Sequence, residues 1–84
     1  MIDEQAAAEL AQKAGEAVAM AEKVGTREAH AAAEFACSGA AYAYQTIGQQ
    51  EQAVSFWRLM VRHRNIAERM LQAERKAARA SGDV

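Results

Sequence analysis

The chain has 84 residues, a formal net charge of −1, one cysteine and no proline. That is enough for one helical domain with a modest core, and the lone Cys37 excludes an internal disulfide staple. The longest uncharged run, 16 residues from Phe35 to Gln50, is rich in Ala, Gly, Ser and Gln, whereas a membrane span needs about 20 strongly apolar residues.

Alanine supplies 22 of the residues. It is the strongest helix former, and no period-two runs of Val, Ile or Thr and no Asn-Gly or Asp-Gly turns suggest strands. The fold class is therefore all-α, a single domain over residues 1–84, with helices expected at about residues 3–24, 27–47 and 49–80. Asp3 is positioned as the first N-cap, Gly25-Thr26 as a C-cap followed by an N-cap, Gly48 as a second turn, and Ser81-Gly82 as the final stop.

Helical periodicity, roughly 100° per residue, assigns the faces. Leu10, Ala14, Ala17, Ala21 and Val24 share one side of the first helix, almost all small, so that helix should pack closely. The second helix is apolar nearly all round. Phe35, Tyr42, Ala31, Ala32 and Gly39 form one face, and Ala29, Ala36, Ala40, Ala43, Tyr44 and Ile47 cover much of the other. Only His30, Glu34, Ser38 and Gln45 make a polar strip. Such a helix is expected to be buried on more than one side, between its two neighbours.

The third helix carries the stripe Ala53, Phe56, Leu59, Met60, His63, Ile66, Ala67 and Met70. About 30 residues at ~1.5 Å each reach roughly 45 Å, so its last turns should overhang the bundle and offer Met70, Leu71, Ala73 and Ala77 to a partner. Arg58, Arg62, Arg69 and Lys76 line the opposite side. Trp57 and Val61 lie at the stripe's edge with Val54 further round, where they either close over the first helix or stay exposed. Charge divides along the chain: Met1 to Trp57 holds eight acids and three bases, and Arg58 to Val84 seven bases and three acids. This division fits either a nucleic-acid surface or an acidic segment beside a basic one.

Residues 34–67, and in particular Ala41, Tyr44, Gly48, Ala53 and Trp57, resemble one tetratricopeptide repeat. Tyr44 matches the aromatic of the repeat's first helix, Gly48 the turn glycine, Ala53 the small residue where two helices cross, and Trp57 the aromatic one turn later. Cys37 stands where the family prefers Trp and Asn65 where it often has Pro. The resemblance implies an antiparallel hairpin of the second and third helices and, by analogy, a protein-binding role.

Candidate chemistry is sparse. His30, Glu34 and Cys37 fall at i, i+4 and i+7 and could ligate zinc or pair as thiolate and base. No Cys-x-x-Cys or His-Glu-x-x-His pattern supplies further ligands, and Cys37 reads first as a small buried hydrophobe. His63, inside the apolar stripe, reads as a satisfied core histidine or as a pH sensor. Glycine-rich phosphate loops, paired carboxylates and nucleophile elbows are absent. The expectation is a non-enzymatic module without cofactor or metal, an adaptor or a small inhibitor of a larger protein, contacting it through Trp57, Arg58, Arg62, Arg69 and Lys76 and able to self-associate through the first helix or the overhang. Nucleic-acid binding by the basic stripe is the alternative, and a thiol or metal site the third. The lone thiol makes the cytoplasm the expected location, the start at Met1 to Gln5 lacks the basic, apolar pattern of a signal peptide, and no membrane partner is expected.

Overall fold

The computed structural model describes residues 2–82, and among them every regular element is a helix: α1 Glu4–Val24, α2 Arg27–Thr46 and α3 Gln50–Ala80. Asp3 is the first N-cap as expected, so α1 proper begins at Glu4, and the other boundaries differ from expectation by one residue at two ends, because Ile47 and Gln49 are caps rather than helical residues. The Asp3 side chain accepts a hydrogen bond from the Ala6 N–H at 2.8 Å, and Thr26 Oγ1 accepts from Ala29 N–H at 3.2 Å. Each satisfies a donor that has no intrahelical acceptor. Gly25 ends α1 in the left-handed region, at φ 71°, with its N–H bonded to the Ala21 carbonyl. Gly48 turns the chain from α2 into α3 at φ 81°. Gln49 caps nothing with its side chain, which reaches across and donates to Glu4 Oε1 at 3.1 Å.

α2 packs against both α1 and α3, while α1 and α3 nowhere bring Cα atoms within 8 Å of each other. The central position expected for the second helix is therefore correct. The fully buried hydrophobic residues are Cys37 and eight alanines, including Ala7, Ala14 and Ala21, spaced by seven along α1. Ala14, Cys37 and Ala40 form the centre, flanked by Leu10, Val18, Ala36, Phe56, Leu59 and Met60. An alanine buries little apolar area, but it loses no rotamer freedom on burial, and its size lets dispersion contacts form between closely spaced backbones. The third-helix stripe is inward-facing as expected, with Ala53 and His63 buried and its other members half-buried.

The molecule is long: its principal extents are 53 × 20 × 19 Å and its radius of gyration is 15.5 Å, against about 12 Å for a compact chain of this length. α3 is the cause. Arg27 Nε meets Glu74 Oε2 at 2.7 Å near the start of α2, and residues 75–82 run on beyond that ion pair, all exposed. The accessible surface, 5877 Å², exceeds the roughly 4,900 Å² expected for a compact monomer of this mass.

Three expectations are corrected. The face of α2 formed by Ala31, Ala32, Phe35, Gly39 and Tyr42 is exposed, with Phe35 84% and Tyr42 63% accessible. Two neighbouring helices cover only about half of a third, and the covered half is the one that presents Ala33, Cys37, Ala40, Ala41 and His30. His30 belongs to the interior rather than to a polar strip, because it has a partner there. Val24 likewise leaves the small face of α1 and is exposed at the helix end.

Candidate interaction surface

The exposed side of α2 begins at Glu28 and runs to Thr46 with no further charge on it. Glu34, the one other charged residue of this stretch, is half-buried on the flank toward α3, beside Arg64 and Glu68. Phe35 and Tyr42 stand two turns apart with Gly39 and small residues between them. An aromatic ring left this exposed on an uncharged helix face is unusual for a chain short of large core residues, since burying it inside would remove far more apolar area from water than any alanine does. Met20 and Val24 of α1 are also about half exposed.

The basic stripe of α3 is one exposed ridge. Arg58, Arg62, Arg69 and Lys76 all face solvent. Arg62 lies 3.6 Å from Glu22 of α1, and Arg69 Nε donates to the Asn65 carbonyl at 3.4 Å, while Lys76 stands on the overhang. The Arg62–Glu22 pair is open to water and adds little stability. Trp57 is half-buried, and Val54 and Val61 beside it are exposed. Trp57 therefore partly fills the domain and partly edges the ridge.

His30 and His63 form the only polar pair inside the bundle among the described residues. Their Nδ1 atoms lie 2.8 Å apart, and the rings stack with centroids separated by 5.1 Å. His63 is wholly buried and its Nε2 has no hydrogen-bond partner. Burial pushes the His63 pKa below its ordinary value, helped by the nearby charges of His30 and Arg62 and opposed by Glu22. A pairing across 33 residues leaves no local signal in the sequence, where the two histidines stand on separate helices. Cys37 is also wholly buried, which pushes its thiol pKa up, the opposite of what a reactive thiolate needs. Among the described residues no three His, Cys, Asp or Glu side chains gather closely enough to hold a metal ion, so His30, Glu34 and Cys37 do not converge into a centre. No helix among those residues is long and apolar enough to cross a membrane.

Comparison with family models, curated proteins and solved structures finds no match to this chain.

Proposed function

We propose that this chain is a non-enzymatic protein-interaction module: an antiparallel three-helix bundle, with a tetratricopeptide-like α2–α3 hairpin, that works in the cytoplasm as an adaptor or small inhibitor. The observation that carries this reading is the open α2 face, on which Phe35 is 84% exposed in a protein whose buried core is almost entirely alanine. Aromatic anchors contribute most of the energy at protein interfaces, and a large exposed apolar patch marks a contact site. Ala53, 1% exposed at the α2–α3 packing, supports the hairpin, since only a small residue lets two helices cross that closely. The ridge of Trp57, Arg58, Arg62, Arg69 and Lys76 offers a second contact, suited to an acidic protein surface.

The test is the size of the assembly that the protein joins in an extract of its native cell. The wild type should migrate well above the 9.1 kDa monomer, Phe35→Glu should fall out of that assembly, and Arg62→Glu with Arg69→Glu should leave its size largely intact. A wild-type protein that migrates as a free monomer overturns the reading. Loss with the arginine variants alone moves the contact to α3, and if that assembly also dissolves on nuclease treatment, the ridge binds nucleic acid through its phosphates.

A further inference from the structure

We infer that the occupant of the open α2 face is a second copy of this chain, docked with its α2 antiparallel to the first. The inference rests on the reading that this face is an interaction surface, and it names the partner.

Charge gives the first argument. At one end of the molecule α1 and α3 both begin, tied by the Gln49–Glu4 hydrogen bond. Asp3, Glu4, Glu9 and Glu51 collect there, with no base among residues 2–12 or 44–57. At the other end, past the Arg27–Glu74 pair, the overhang of residues 75–82 carries Arg75, Lys76 and Arg79 and no acid. The chain is thus its own electrostatic complement. Antiparallel copies bring each basic end onto an acidic one, while parallel copies set like against like. Between the ends the face carries no charge, so it contains nothing to select a charged foreign surface and nothing to repel itself.

Shape gives the second argument. A twofold axis between Ser38 and Gly39 places Phe35 of one copy against Tyr42 of the other, and Tyr42 against Phe35. Glu28, the one acid on the face, then meets the uncharged Gln49 of the second copy. At the axis itself stand Ser38 and Gly39, small enough for the two helix backbones to approach closely, with the rings above and below closing the gap. An interface of this kind repeats the rule by which the interior is built, where helices meet at alanines. A twofold pair also uses each patch twice, which is the commonest way soluble chains assemble.

The experiment is sedimentation velocity on the purified chain alone, from low micromolar to submillimolar concentration, with Phe35→Glu alongside. Phe35 is too exposed for the substitution to disturb the monomer, and circular dichroism checks that both proteins are equally helical. The wild type should sediment as a dimer. Phe35→Glu, which buries a carboxylate twice per dimer, should weaken association by about a thousandfold or more. Orientation is read by mixing Phe35→Cys with Tyr42→Cys under mild oxidation: the two should cross-link to each other in preference to themselves. A wild type that remains monomeric throughout, or a dimer indifferent to Phe35→Glu, overturns the second copy as occupant. Preferential self-cross-linking of Phe35→Cys overturns the antiparallel arrangement. If the purified protein is monomeric while the Phe35-dependent assembly in native extract persists, the face receives a foreign protein, and only the present inference fails.

Discussion

His30 and His63 meet through their Nδ1 atoms at 2.8 Å, so one ring must carry a proton there and the other must present a lone pair. Burial decides which. If His63 donated from Nε2, that N–H would be buried without a partner, because Nε2 has none. The lower-cost arrangement has His63 Nδ1–H donating to His30 Nδ1, leaves His63 Nε2 as an unprotonated lone pair, and puts the second proton of the pair on Nε2 of the slightly exposed His30. A further proton on His63 then becomes a buried unpaired charge.

Acid should therefore destabilise the fold. The folded His63 pKa lies below the ordinary value of 6.5, so the unfolded chain takes up the proton first. Full stability is present above about pH 6.5 and is lost progressively as the pH falls below it, until the folded histidine titrates too. The groups facing the pair, Arg62 on α3 and Glu22 on α1, act in opposite directions and leave burial dominant. Thermal melts at pH 7.5 and 5.5 should show a lower melting temperature at the acid pH. His63→Gln, which keeps a hydrogen-bonding side chain but cannot titrate, should lose most of that dependence. A wild-type melting temperature that is flat over this range contradicts the assignment.

Cys37 should behave as part of the core. With the thiol wholly buried and its pKa raised, alkylation must wait for the bundle to open. Iodoacetamide labelling at pH 8 should accelerate by about a hundredfold or more when urea unfolds the chain, following the opening equilibrium. Prompt labelling of the folded protein would restore a reactive-thiol reading.

The alanine interior predicts an asymmetric response to added volume. Ala14 sits at the centre of the α1–α2 packing with Cys37 and Ala40, so Ala14→Leu should cost about 2–3 kcal/mol through overpacking. Ala8→Leu, on the exposed side of the same helix, should change stability by less than about 0.5 kcal/mol. Urea titration of both variants measures the contrast, and equal effects would mean that α1 does not pack through its Ala7–Ala14–Ala21 line.

The turn between α1 and α2 should be sensitive out of proportion to its exposure. Gly25 has φ 71° and open space around the position of a Cβ, so Gly25→Ala suffers only the backbone penalty of the left-handed region, about 1 kcal/mol. Thr26→Ala removes the N-cap bond to Ala29 at a cost of about 1 kcal/mol. Both are read by chemical denaturation. A neutral Gly25→Ala would place the turn in a different conformation.

The sequence by itself determined the helices, the caps at Asp3, Gly25 and Thr26, and the long third helix, because alanine content, two glycines and local capping chemistry act within a few residues of each other. It also marked Ala53 and His63 as inward-facing, since a stripe repeated over five turns has one sensible orientation. It could not choose which side of α2 to bury. With apolar residues nearly all round, periodicity carries no preference, and the same pattern led to the expectation that the side with Phe35 and Tyr42 would be covered as well. The tertiary structure reversed this, because the side rich in alanine and Cys37 lets α1 and α3 each approach α2 closely and gives His30 its partner across 33 residues. Small size at the contact outweighed hydrophobicity there, and the two rings were left outside.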